Sequence, residues 1–168
     1  LLHDLNKEEE STHKSFASKL AAMVVTFAQK IGMRIVDHIG IAVKDLSVSI
    51  PLFEKLLNTS CYKTELVEGE QVQTAFFKKG DTKIELLESS TSDGVISKFI
   101  EKKGEGIHHI AFDVEDIEYE IRRLKEEGFV VLNEQPKRGA DNKLVCFLHP
   151  KGTNGVLIEL CQDDKEYK

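Results

Sequence analysis

The sequence predicts an α+β domain built from two tandem βαβββ modules. Three observations carry that prediction. The segment 36-VDHIGIAV-43 returns as 107-IHHIAFDV-114. The segment 82-TKIEL-86 returns as 156-VLIEL-160. His38 and Glu85 are 47 residues apart, and His109 and Glu159 are 50 apart, so the same two polar residues recur at nearly equal spacing.

Each element has its own warrant. Period-two alternation marks a first strand over 35–43. In 44–58, Asp45 or Ser47 can cap a helix, and Pro51 is expected in its first turn. Strands are predicted over 61–67, 72–79 and 83–88, with 80-GDT-82 as a turn. A short helix over 93–104 presents Val95, Ile96, Phe99 and Ile100 as an apolar stripe. The second module follows with a strand over 107–114. A helix over 115–128 then turns Ile117, Ile121 and Leu124 inward and ends on Gly128. Strands over 129–132, 144–148 and 156–161 are separated by the loops 135–143 and 149–155.

Residues 1–32 read differently. Phe16, Leu20, Met23, Val24, Phe27 and Ile31 recur at helical spacing, which predicts an amphipathic helix over 15–30. The segment has no Arg and contains a Glu run, unlike a mitochondrial presequence. It is expected to be an appended, non-catalytic extension. The functional domain is expected over 33–162, as modules of about 34–90 and 106–162, with 163–168 as a tail.

Composition narrows the partners. A formal net charge of −6 over 168 residues argues against nucleic acid and anionic membranes. No apolar run approaches the roughly 18–20 residues that span a bilayer. Cys61, Cys146 and Cys161 lie in strand-like apolar surroundings with no C-x-x-C, which reads as reduced buried thiols in a cytosol-like compartment.

Strand alternation then builds a site. His38 shares a face with Gly40 and Ala42, and His109 with Ala111 and Asp113, so small residues leave room before each imidazole. Glu85 in KIELL and Glu159 in LIELC are each the one acid inside an apolar run, where an unpaired carboxylate is costly. Two imidazoles and two carboxylates suit a divalent first-row metal with open positions. His108 has the opposite parity to His109, which makes it a structural or supporting residue. His149 is expected to be exposed or to anchor its loop, and His3 and His13 fall in the extension.

The segments 37-DHIGIAVKDL-46, 80-GDTKIELLE-88, 106-GIHHIAFDVEDI-117 and 147-FLHPKGTNGVLIEL-160 resemble the vicinal-oxygen-chelate superfamily and, within it, the methylmalonyl-CoA epimerase family. The resemblance spans about 34–162. It implies a curved mixed sheet around a metal cleft, with helices on its outer face. It also implies His38, Glu85, His109 and Glu159 as ligands of one divalent ion, cobalt first, with nickel, manganese or zinc compatible. Glu159 is implied as a catalytic proton carrier, acting at C2 of an acyl-CoA substrate through a metal-stabilised enolate.

The resemblance further implies a homodimer, in the cytoplasm or, in a eukaryote, the mitochondrial matrix. Some relatives carry a second catalytic Glu on the strand before the Glu85 strand. The matching stretch, 71-QVQTAFF-77, has Gln73 and Thr74 but no acid, so a water held there, or Glu85 itself, is the alternative. Lys137, Arg138 and Lys151 are candidate contacts for the CoA tail. Lactoylglutathione lyase, which can use a His/Glu/His/Glu set, and a non-catalytic binding member are the competing functions.

Overall fold

The structure, a computed structural model, describes Lys19 and residues 32–165. The chain divides at Gly32–Met33, and the fold reported below is that of the second unit, Met33–Lys168. The expected helix over 15–30 and the end of the tail lie outside the described residues.

Eight strands form one mixed sheet, in the order β2-β3-β4-β1-β5-β8-β7-β6. They are β1 (Met33–Ala42), β2 (Lys63–Val67), β3 (Val72–Lys79), β4 (Thr82–Ser89), β5 (Gly106–Val114), β6 (Lys137–Arg138), β7 (Lys143–Leu148) and β8 (Ile158–Asp163). Three α-helices connect them: α1 (Leu46–Leu57), α2 (Val95–Lys103) and α3 (Ile117–Glu126). The sheet curls into a half-barrel, the curved mixed sheet that the resemblance implies, built from the two modules that the repeat predicts. Its centre explains why the repeat matters. β1 and β5, the two copies of the histidine strand, pair antiparallel. Each is flanked by a parallel glutamate strand, β4 beside β1 and β8 beside β5.

Alternation sorts the two faces of the sheet. Ala75, Phe77 and Leu86 pack outward beneath α1 with Val43, Leu46 and Phe53. Val114, Cys146, Leu148 and Leu160 pack outward beneath α3 with Ile117, Ile121 and Leu124. The inner face lines the cleft. α2, the bridge between modules, lays Ile96 and Phe99 against Val72 and Leu87 and closes one end.

Helix starts follow from side chains. Asp45 accepts from the Ser47 N–H, and Asp116 from the Tyr119 N–H. Beyond α3, Gly128 takes φ +88°, the conformation that closes a helix end. Pro51 corrects the expectation above. It lies in the second turn of α1, since Asp45 and not Ser47 is the cap. The carbonyl it leaves unbonded is that of Ser47, and both residues are exposed, so water can satisfy it.

The second module departs from prediction in one strand. Residues 129–132 hold a single bridge, Val131 with Leu148, and no strand. The partner of β7 is instead Lys137–Arg138, inside the stretch read as a loop. The reason is the turn. Asp141 and Asn142 both have positive φ (54° and 55°), the Lys143 N–H bonds the Ala140 carbonyl, and the Gly139 N–H bonds the Lys143 carbonyl, which together turn the chain back tightly into a hairpin.

Candidate active site

The four predicted residues meet. Gly40 of β1 stands opposite Glu85 on β4 and opposite His109 on β5, while Ala111 of β5 stands opposite Glu159 on β8. All four side chains are buried. Nε2 of His38 lies 3.0 Å from Nε2 of His109. It lies 3.2 Å from Oε2 of Glu85 and 3.8 Å from Oε1 of Glu159. Nε2 of His109 is 3.6 Å from Oε2 of Glu85 and 3.4 Å from Oε2 of Glu159.

Such spacing tests whether these residues fit a metal. Bonds of about 2.0–2.2 Å to nitrogen and oxygen hold neighbouring donors about 3–3.5 Å apart in octahedral or tetrahedral sites. The contacts of 3.0, 3.2 and 3.4 Å fall in that range and those of 3.6 and 3.8 Å just above it, and His38, His109 and Glu159 offer three atoms within 4.8 Å of one another. Two imidazole lone pairs and two carboxylates facing one another also require a cation between them. The metal-free protein supplies one by protonation. Burial alone would push His38 down, but its hydrogen bonds to Asp37 and Glu85 outweigh that and hold it up at about 10. The two acids diverge. Burial opposes ionisation of Glu85, yet hydrogen bonds from His109 and His38 bring it down to about 2, whereas burial dominates at Glu159 and pushes it up.

Behind His38 lies a charged network. Its Nδ1 donates to Oδ1 of Asp37 at 2.9 Å. Asp37 also takes Lys83 at 3.0 Å and Lys143 at 3.3 Å; burial opposes its ionisation, but the His38 hydrogen bond and then these two cations hold its carboxyl well below the usual range. Lys83 and Lys63 continue to Asp141 at 2.8 and 3.2 Å, so the β6–β7 turn of module 2 is tied to β2 and β4 of module 1. Cys161 lies near Asp37 and His38, but burial drives its thiol far up, so it stays neutral and is a poor ligand.

The centre opens into a cavity shared by both modules. Thr74, Phe76, Leu87, Ile96, Val145 and Phe147 give it apolar walls around the polar centre. Thr74 reaches this cavity, with its hydroxyl donating to the Glu65 carbonyl, while Gln73 has the opposite parity and does not line it. An acid missed by the sequence reading does line it. Glu70, in the turn just before β3, sits on the cavity wall paired with Lys137. Its sequence signal is its place directly before 71-QVQTAFF-77.

His108 also corrects an expectation. It lines the same cavity as His109, although strict alternation puts them on opposite faces. Burial lowers it to about 4. Of the proposed tail contacts, Lys137 is held by Glu70, Arg138 pairs with Asp164 at 3.2 Å, and Lys151 is exposed in a 3₁₀ turn. His149 anchors that turn, its Nδ1 accepting from the Lys151 N–H at 3.1 Å.

Residues 37–147 match the glyoxalase/bleomycin resistance protein/dioxygenase superfamily. A Dictyostelium discoideum mitochondrial methylmalonyl-CoA epimerase is 34% identical over 156 residues, covering 92% of this chain and 92% of that protein. The chain belongs to the methylmalonyl-CoA epimerase family. A second family member, ethylmalonyl-CoA/methylmalonyl-CoA epimerase of Cereibacter sphaeroides, is 41% identical over 75% of this chain and 96% of its own length. Streptomyces coelicolor methylmalonyl-CoA epimerase, solved as a variant in complex with 2-nitronate-propionyl-CoA, superposes with TM-score 0.75 at 32% identity, over 80% of this chain and 97% of that one. The chain is therefore an isomerase of the epimerase class. No helix among the described residues is long and apolar enough to cross a membrane.

Proposed function

We propose that this enzyme interconverts the (R)- and (S)-forms of methylmalonyl-CoA by moving the proton on C2, with His38, Glu85, His109 and Glu159 holding one divalent ion. The observation that supports it is the convergence of these four donors, two from each module, at 3.0–3.8 Å in a cavity with apolar walls. The substrate is carried over from the relatives' names. Cobalt is the ion expected from the family, and nickel, manganese and zinc accept the same nitrogen and oxygen donors.

A bound ion would act as a Lewis acid on the charge that develops at the thioester oxygen. The chain's residues do the rest. Asp37 fixes the His38 ring through Nδ1, leaving Nε2 turned to the centre. Glu159 takes the C2 proton on one face. Glu70 shares the cavity wall and returns a proton from the other face, a role that Gln73 cannot fill from its position. Glu85, held ionised, serves as a ligand. The apolar walls exclude water from the carbanionic carbon.

Two further parts complete the reading. Residues 1–32 are non-catalytic, and the enzyme works as a homodimer. Val48, Leu52 and Leu56 form an exposed apolar row on α1 that a subunit interface would cover, and sedimentation at micromolar concentration tests it. The activity test is solvent deuterium exchange at C2 of methylmalonyl-CoA, run beside a hemithioacetal isomerisation assay. Exchange with no hemithioacetal turnover supports the epimerase, and the reverse result overturns it.

A further inference from the structure

The pairing of β1 with β5 skips one residue. Gly40 stands opposite His109, yet the next residue, Ile41, stands opposite Ile107. His108 is therefore the extra residue of a β-bulge, which suspends alternation and explains how two adjacent histidines both reach the cavity. Nε2 of His109 is its nearest atom to His38, Glu85 and Glu159. Its other nitrogen, Nδ1, lies 3.0 Å from Nδ1 of His108. Two ring nitrogens at that distance share one proton, so one ring donates and the other accepts.

We propose that His108 is the positioning residue for His109. Its Nδ1 accepts from the His109 Nδ1–H, which leaves the His109 Nε2 lone pair directed at the centre and puts the proton of His108 on its own Nε2. The opposite assignment would place a proton on His109 Nε2, 3.0 Å from His38 Nε2, in the space the four donors share. His108 is itself held. The Phe99 ring of α2 meets it edge-on, with centroids 5.0 Å apart at 83°. A chain of contact thus runs from the inter-module helix through Phe99 and His108 to His109.

The two modules solve one problem with different chemistry. Behind His38 stands a carboxylate, Asp37, and behind His109 stands a neutral imidazole. A carboxylate on Nδ1 makes an imidazole a stronger donor. His109 without one stays the weaker donor of the pair and adds no negative charge to a centre that already holds two glutamates.

This inference rests on His109 as a metal ligand, and the experiment separates the two. Co²⁺ affinity is measured by chelator competition, and the Co²⁺ electronic spectrum recorded, for the full chain, His108→Leu and His108→Asn. Asn can keep an acceptor near the Nδ1 position. His108→Leu is expected to lose about 10- to 100-fold in Co²⁺ affinity with a changed spectrum, and His108→Asn to return to within about threefold of the parent with the parent spectrum. Long-range ¹H–¹⁵N correlation on the unmodified cobalt-free, zinc-loaded protein is expected to find the protons on His109 Nδ1 and His108 Nε2, a readout that needs no variant to fold. A His108→Leu protein with unchanged affinity and spectrum, or a proton on His108 Nδ1, overturns this inference alone. A parent chain that binds no divalent ion overturns it together with the proposed function.

Discussion

Gly40 and His109 face each other across the β1–β5 pair so closely that a methyl group on Gly40 would lie 2.2 Å from Cε1 of the imidazole. The glycine is a steric requirement of the site, since a contact that short forces the ring to move. Gly40→Ala is expected to keep the fold, lose about 1–3 kcal/mol of stability to overpacking, and weaken divalent-metal binding at least tenfold. Calorimetry and metal titration check it; unchanged affinity would mean that the ring has another place to go.

The two central glutamates should respond unequally. Glu159→Gln is expected to lower epimerisation by about 10²–10⁴-fold, the range for a lost general acid or base, with part of the metal affinity kept. Glu85→Gln is expected to retain substantial activity, because an amide oxygen can still act as a ligand. Steady-state rates with metal content measured in parallel decide; the reverse ranking would exchange the two roles.

Glu70→Gln should separate the two faces of C2. Exchange of solvent deuterium into one stereoisomer is expected to survive while interconversion falls by about 10²-fold or more. Equal loss of exchange from both stereoisomers would show that Glu70 is not one of two carriers.

Metal binding and stability should both depend on pH through His38. Its value in the metal-free protein is raised from 6.5 to about 10, so its contribution to stability is complete below about pH 6.5 and disappears as pH rises through about 10. The melting temperature of the metal-free protein is expected to fall across that window. Binding an ion displaces the His38 proton, so affinity should rise about tenfold per pH unit there, with one proton released. Titration calorimetry in two buffers of different ionisation enthalpy measures the proton; no release would contradict a protonated His38.

Asp37 should matter for stability as well as for His38. It is the common partner of His38 and Lys143, both buried, and of Lys83, which is half-buried. Asp37→Ala takes the shared carboxylate from the buried Lys143 and the half-buried Lys83, and breaking a buried pair costs about 3–5 kcal/mol. Denaturant unfolding gives the value, and a loss under about 1 kcal/mol would mean that Asp141 and Asp163 suffice for the lysines.

What the sequence made legible was whatever repeats and alternates. His38, Glu85, His109 and Glu159 could be paired because the duplicated strands keep the same parity at each. What stayed hidden depends on a partner strand or a turn. The bulge at His108 is a property of the register between β1 and β5, which no local window contains. The β6–β7 hairpin hinges on two non-glycine residues in the left-handed region, Asp141 and Asn142, within a stretch that Pro136 and Gly139 made look irregular. Asp37, Lys83, Lys143 and Asp141 come from β1, β4, β7 and a turn, so their network exists only after assembly.

His38 and His109 touch, yet they are 71 residues apart in the chain. They belong to different modules, and the β1–β5 pairing brings them together. On the ribosome, β1 to β4 emerge before β5 exists, so the central edge of β1 must wait, unpaired, for a strand still being made. A non-local closure of this kind is slow, and an open edge in the interval is a template for the same strand of another chain. The arrangement that builds one reaction centre from two copies of a motif thus makes newly synthesised molecules vulnerable to exchanging halves, with each module of one chain seeking its complement in a neighbour.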